Sequence, residues 1–248
     1  MPAYLRGATT ARATQVEQLE REIELAGRAL GFSDTKIKVG WAVGSRRRGP
    51  CQAGPRAEDP GRPRRATGPR YRQRMRPCRR SDPGAGRAFE RAAAPLGLWW
   101  LEEPLSPRRG RPRQVPRRSK RRWPAGEIHQ TWWDFRALVE RGAAAIVQAD
   151  AAVVGGISEW RRIAGLCAAF DLPMAPHWHH NLHVHLAACT PNCIVVEHFD
   201  LAKDVFNFER LLTPGSRALP EGGFLPVPSG PGLGIEFDAE AIERFRLP

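Results

Sequence analysis

The hydrophobic positions of this chain follow two alternating patterns along most of its length. In five stretches, apolar residues recur every three to four positions, as they do on one face of a helix. Between these stretches lie short apolar runs that are typical of buried strands. The predicted helices cover residues 14–30, 89–97, 131–142, 157–171 and 181–189, and the predicted strands cover 1–7, 35–40, 98–105, 143–150, 172–177 and 193–200.

This alternation of strand and helix predicts the fold class. Strands separated by helices form βαβ units, which build parallel sheets. Because the unit repeats so often in one chain, a closed α/β barrel of the (β/α)7β type is favoured over an open sheet. We therefore expect one barrel domain over residues 1–225, with a tail at 226–248 packing on it.

Two basic segments, 44–87 and 107–123, interrupt the pattern. Pro and Gly punctuate both segments every few residues, so we expect no helix or strand to propagate there and predict disordered or misfolded stretches. A structureless insert of this size is uncommon inside a compact domain. Arg, Pro, Gly and Ala are also what GC-rich codons specify in a wrong frame. We infer that both segments are out-of-frame translation, which sequencing of the coding DNA would test.

The net charge of +13 comes from these same segments. They hold 23 of the 39 basic residues and three acidic ones, whereas the rest of the chain has 16 basic and 23 acidic residues. A polyanion binder that uses the Arg-rich segments is therefore one hypothesis. Almost no aromatic residues accompany the arginines for base stacking, so nucleic acid is the weaker interpretation of the charge.

The remaining composition indicates a cytoplasmic protein. No run of about 18 apolar residues exists that could span a membrane, and the first residues lack the apolar stretch of a signal peptide. The five cysteines are an odd number without a C-x-x-C pair, which favours reduced thiols. The sequence leaves open whether the protein forms a homo-oligomer.

Polar side chains stand where the predicted strands end. Parallel barrel strands bring their carboxyl ends to one mouth, where barrel enzymes place their catalytic groups. Two or three carboxylates there would suit Mg²⁺, and a lysine with a His–Asp pair would suit removal and return of a proton. The residues at these positions are Lys36, Lys38, Glu102, Glu103, Glu127, Asp150, His177 and Glu197.

Taken together, these elements resemble the enolase superfamily, in its mandelate racemase/muconate lactonizing enzyme branch. The resemblance rests on "KIKVG", "LEEP", "AGE", "QADAAVVGGISE", "PMAPH", "VVEHFD" and "LPVPSGPGLGIEFD", and covers about two-thirds of the chain. It implies a Mg²⁺-dependent enzyme that removes the proton α to a carboxylate and passes through an enediolate. Dehydration of a sugar acid is the expected reaction. Racemisation or epimerisation of a 2-hydroxy acid by the same groups is the alternative.

The resemblance also implies roles for individual residues. Glu102 and Glu127 match metal ligands. Lys38 matches the base on one face, with Lys36 assisting it. His177 matches the base or acid on the other face and is oriented by Asp150. Glu197 matches a group that binds the substrate carboxylate or the enolate.

Two departures from the family pattern matter. The family's first metal ligand is an Asp at the end of the third strand, and no Asp or Asn lies between Pro60 and Ser81. We therefore expect weak Mg²⁺ binding and impaired activity, and an inactive frameshifted product is a further alternative. We also expect the chain to begin after the family's N-terminal capping domain.

One cluster raises a separate question. Five of the seven histidines lie between His177 and His185. His183 and His185 are two apart on a predicted helix and so do not share a face, and we interpret both as packed or surface imidazoles. His179 and His180 follow the strand end and are candidates for substrate contact.

Overall fold

The computed structural model describes residues 4–11, 31–32, 34–39, 70–75, 99, 101–103, 123–201 and 208–247. For residues 4–11, 34–39, 70–75 and 101, only the backbone is described. The helices predicted at 14–30 and 89–97 lie outside the described residues. So does segment 44–87 apart from 70–75, and segment 107–123 apart from Trp123.

Eight strands are present in the described residues. They are β1 (Tyr4–Ala11), β2 (Asp34–Val39), β3 (Arg70–Met75), β4 (Leu101–Glu102), β5 (Pro124–Ala125), β6 (Ile146–Val147), β7 (Val196–His198) and β8 (Phe224–Pro226). The helices are α1 (Thr131–Glu140), α2 (Ala151–Val154), α3 (Ile157–Ala169), α4 (His180–Ala188) and α5 (Ala239–Arg244). Two 3₁₀ turns, Phe208–Leu211 and Pro214–Ser216, precede β8.

Backbone pairing runs around a closed ring of parallel segments. The parallel ladders join β1 to β2, β2 to β3, β3 to β4, and β5 to β6. The Glu103 N–H donates to the Pro124 carbonyl and so links β4 to β5. Parallel bridges then join Val147 to Met174 and Met174 to Cys193. The segment that begins at Cys193 continues into β7, which pairs with β1 and closes the ring. The result is an eight-segment barrel, as the strand–helix alternation predicts.

Strand β3 corrects one expectation. We expected segment 44–87 to lack regular structure, yet Arg70–Met75 pairs in parallel with both β2 and β4. The physical reason is local. Residues 70–76 form the longest stretch of this segment without Pro or Gly, so nothing there removes a ladder hydrogen bond.

The outer helices follow from their apolar spacing. Helix α1 buries Phe135, Leu138 and Val139, and α3 buries Trp160, Ile163, Ala164 and Cys167. The two helices contact each other and share one core cluster with Val147, Ala149 and Met174 from the barrel wall. Gly142, at φ 58°, takes the left-handed conformation that ends α1, as predicted.

The C-terminal region adds two elements that the hydrophobic pattern did not reveal. Strand β8 pairs antiparallel with β1, with Leu225 opposite Leu5. Helix α5 is capped by Asp238, whose carboxylate accepts hydrogen bonds from the Glu240 and Ala241 amides. The domain boundary expected after residue 225 therefore falls inside β8. In the described part of the chain, no helix is long and apolar enough to cross a membrane.

Candidate active site

The His177 ring lies between two carboxylates from neighbouring strand ends. Its Nδ1 lies 3.0 Å from Asp150 Oδ2, and its Nε2 lies 3.4 Å from Glu127 Oε2. Asp150 follows β6, Glu127 follows β5, and His177 follows the barrel segment at Met174. The parallel order of these three segments is what brings the side chains to one mouth.

Two hydrogen-bond donors, the Ala152 amide and the His177 ring, hold the Asp150 carboxylate in place. Its Oδ1 accepts a hydrogen bond of 2.9 Å from the Ala152 amide, which caps α2. Burial alone would raise the pKa of this carboxyl group. The hydrogen bond with His177, the charges of His183 and His177, and the Ala152 amide together outweigh burial and lower the pKa. Asp150 is therefore an anion near neutral pH and accepts the proton on His177 Nδ1, which leaves Nε2 as the basic nitrogen.

The two adjacent glutamates after "LWWL" have different surroundings. Glu102 is fully buried, and its Oε2 accepts a 3.0 Å hydrogen bond from Gln148 Nε2. Glu103, at φ 39°, directs Oε1 toward the Gly126 amide at 3.3 Å. Glu103 follows β4 and lies outside it, and the two carboxylates contact different neighbours, Gln148 and Gly126. Gln148 was not singled out from the sequence, although it lies two positions before Asp150 in the predicted strand 143–150 and could have been identified there.

Glu197, on β7, contacts the turn that follows His177. Its Oε2 accepts a 3.0 Å hydrogen bond from the Trp178 amide. Trp178 and His179 have φ values of 52° and 38°, which side-chain-bearing residues rarely adopt. The two rings stack with centroids 5.0 Å apart, and Phe208 lies edge-on to His179 at 6.0 Å. An aromatic wall thus stands beside the His177 imidazole.

Lys36 and Lys38 are placed by backbone register. Lys36 pairs with Thr10 of β1 and Arg72 of β3. Lys38 pairs with Arg74, which in turn pairs with Glu102 of β4. The residue that pairs with Glu102 on the third strand is therefore Arg74. The family's first metal ligand was expected on this same strand.

The remaining histidines of the run take separate places. His180 is buried against His198, with ring centroids 4.5 Å apart, and its Nδ1 lies 3.5 Å from Glu209 Oε1. His185 Nε2 bonds to the Leu233 carbonyl at 2.9 Å. His183 is fully buried among backbone groups of the site. His183 and His185 are thus packed imidazoles, one of the two arrangements expected for them.

The donor chemistry decides which metal could bind. Glu102 and Glu127 offer hard carboxylate oxygens, the kind that Mg²⁺ prefers. Among the residues that the structure describes, no group of three or more His, Cys, Asp or Glu side chains is arranged to hold a metal ion. The donors therefore fit Mg²⁺ in kind, and they amount to two carboxylates rather than three.

The sequence is similar to those of curated enzymes. The chain is 30% identical over 177 residues to D-galactarolactone cycloisomerase of Agrobacterium fabrum, which covers 63% of this chain and 44% of that protein. It is 34% identical over 134 residues to D-galactonate dehydratase of Ralstonia nicotianae, which covers 49% of this chain and 34% of that protein. The chain thus matches less than half the length of these curated relatives.

A solved structure shares the fold. L-talarate dehydratase of Polaromonas sp. JS666, complexed with Mg and L-glucarate, superposes with a TM-score of 0.68 at 22% identity, covering 97% of this chain and 63% of that one. The family model described as enolase C-terminal domain-like matches residues 18–241. With a barrel closed by β7 and β1, and with carboxylates and a histidine at its strand ends, this chain belongs to the enolase C-terminal domain-like family.

Proposed function

We propose that this chain catalyses a Mg²⁺-dependent abstraction of the proton α to a carboxylate, in the dehydration of a sugar acid. The observation that carries the proposal is the His177–Asp150 pair, with Nδ1 bound to the carboxylate and Nε2 turned toward Glu127. The names of the relatives support the substrate class, since they act on galactarolactone and galactonate. The ligand of the Polaromonas protein is also a sugar acid.

The first step follows from the imidazole geometry. The substrate C–H bond breaks, the proton passes to His177 Nε2, and the electron pair delocalises into the carboxylate as an enediolate. Asp150 fixes the tautomer of the neutral imidazole and stabilises the imidazolium that forms. Lys38, with Lys36 beside it on β2, is the candidate base for the other face of the substrate. Glu197 is the candidate partner for the substrate carboxylate or the enolate.

The second step completes the dehydration. The bond between the β-carbon and its hydroxyl breaks, and the hydroxyl leaves as water with the proton held by the imidazolium. The product is an enol that tautomerises to a 2-keto acid. A site that reprotonates the enediolate instead would racemise or epimerise a 2-hydroxy acid, and product analysis separates these two outcomes.

Glu102 and Glu127 are the residues that would hold Mg²⁺. When bound, the ion would supply positive charge that stabilises the developing enediolate. Two carboxylates suffice for a weak site, because Mg²⁺ often keeps several waters and one or two carboxylate ligands. We therefore propose that Mg²⁺ binds weakly here and that turnover is correspondingly impaired.

The test incubates the protein with a panel of sugar acids and Mg²⁺ in D₂O and monitors exchange of the α-proton by NMR. Loss of the α-proton signal, with formation of a 2-keto product, is the expected result. Binding of DNA at low salt, without any exchange, would instead favour a polyanion binder that uses segments 44–87 and 107–123.

A further inference from the structure

His183 links the two loops that carry the His177–Asp150 pair. It lies on α4, its side chain is fully buried, and both ring nitrogens have backbone partners. Nε2 accepts a 2.9 Å hydrogen bond from the Ala151 amide. Nδ1 lies 2.6 Å from the Trp178 carbonyl.

These partners allow one protonation state of the ring. An amide N–H can only donate, so Nε2 must be unprotonated, and a carbonyl can only accept, so Nδ1 must carry the proton. Burial lowers the pKa of His183 to about 4, against smaller opposing effects of the Asp150 charge and the Trp178 bond. The ring is therefore a neutral bridge with a defined tautomer near neutral pH.

The bridge reaches the residue directly after each member of the pair. Ala151 follows Asp150, and Trp178 follows His177. The His183 Nε2 also lies 3.7 Å from Asp150 Oδ1. The left-handed backbone at Trp178 needs such support, because surrounding contacts must hold a conformation of this kind in place.

A second buried side chain, Trp160, holds the backbone on the other side of Asp150. The Trp160 indole N–H donates to the Ala149 carbonyl at 3.0 Å, and its ring lies 6.5 Å from that of His183. Asp150 is thus flanked by two residues, Ala149 and Ala151, whose backbone groups are hydrogen-bonded to buried side chains of α3 and α4.

We propose that His183 is a positioning residue, which sets the distance and orientation between His177 and Asp150 through these two backbone hydrogen bonds. The inference rests on the proposed function for its catalytic meaning, since the pair would be the proton-transferring group. Its structural content is independent of turnover, because the hydrogen bond between His177 and Asp150 can be observed directly.

The experiment follows the downfield proton resonance of His177 Nδ1–H in the bond to Asp150, assigned by its loss in His177→Asn. The amide of glutamine reaches the position of Nε2 and can accept from Ala151, whereas asparagine reaches only the position of Nδ1. His180→Asn is the matched control, because His180 is equally buried on the same helix and packs against His198 and Glu209. Thermal melting of each variant measures its stability.

Glutamine keeps the bond to the Ala151 amide and loses the bond to the Trp178 carbonyl. We expect the resonance to be lost or strongly shifted in His183→Asn, shifted less in His183→Gln, and retained in His180→Asn. Retention of the resonance in a folded His183→Asn variant would overturn the inference. Equal loss of the resonance in His180→Asn would also overturn it. If His183→Asn does not fold, the ¹⁵N chemical shifts of wild-type His183 test the inference instead. A protonated Nε2 near neutral pH would then overturn the inference. Absence of α-proton exchange in the wild type, with the resonance responding as expected, would reject the proposed function alone.

Discussion

The imidazole of His177 donates its Nδ1 proton to Asp150 Oδ2 across 3.0 Å, and its Nε2 stands 3.4 Å from Glu127 Oε2. Nδ1 therefore orients the ring through its bond to Asp150, and Nε2 lies toward the mouth of the barrel. The side chain is 14% exposed, so a substrate carbon could approach Nε2 while most of the ring stays excluded from water. This arrangement suits a group that transfers a proton in a fixed orientation.

Asp150→Asn should reduce α-proton exchange far more than it reduces stability. An amide in place of the carboxylate can donate to Nδ1, which moves the ring proton to Nε2 and removes the base. In a related His–Asp arrangement, the same change costs on the order of 10⁴ in rate. Exchange rates by NMR and thermal melts would measure both effects. Asp238→Asn changes an aspartate that caps another helix, α5, and should leave the exchange rate unchanged.

Arg74→Asp should tighten Mg²⁺ binding. Arg74 pairs in register with Glu102, so the substitution adds a carboxylate at the adjacent strand position and removes a positive charge. Titration calorimetry would measure the dissociation constant, and we expect a decrease of at least about tenfold, corresponding to roughly 1.4 kcal/mol.

Gln73→Asp is the control for that experiment. Gln73 directly precedes Arg74 on β3 and pairs in register with Leu101 rather than with Glu102. Arg74→Asp changes the net charge by two units and Gln73→Asp by one, so a gain in binding free energy from Gln73→Asp of half or more of that from Arg74→Asp would show that charge alone explains the effect.

The stability of the protein should fall as the pH decreases from 6.5 to 4. The unfolded chain protonates His183 near its ordinary pKa of 6.5, whereas burial holds the folded pKa at about 4. Stability is therefore fully present above pH 6.5 and is lost progressively as the pH falls toward 4, by up to roughly 3 kcal/mol from this group. Urea unfolding at several pH values would measure how steeply the free energy of unfolding changes with pH. His183→Gln should flatten this slope, and an unchanged slope would mean that His183 is accessible to protons in the folded state.

Much of the fold is predictable because it depends on local periodicity. Helices α1 and α3 lie where apolar residues recur every three to four positions. Strand β2 overlaps the predicted run at 35–40, and β6 lies within the predicted run at 143–150. Strand β3 was missed because its pairing comes from backbone groups. The Arg-rich sequence has no apolar periodicity that would indicate a strand. Strand β8 was missed because three residues are too few to show a period.

The site was predictable up to the strand ends and no further. The carboxylates and His177 stand where parallel strands must end, so their convergence follows from the topology. The bond from Gln148 to Glu102 spans 46 residues, and the bond from Ala151 to His183 spans 32. No local pattern encodes such contacts, so His183 could be placed only as a packed or surface imidazole.

The most direct measurement is the rate at which deuterium replaces the α-proton of a sugar acid, with Mg²⁺ present, in wild-type protein and in His177→Asn. His185→Asn serves as the control, because that ring bonds to the C-terminal segment at Leu233. We expect exchange in the wild type and in His185→Asn, and loss of at least about 10²-fold in His177→Asn, the lower range for removal of a general base. Equal exchange in wild type and His177→Asn would contradict the proposed mechanism, as would no exchange with any sugar acid.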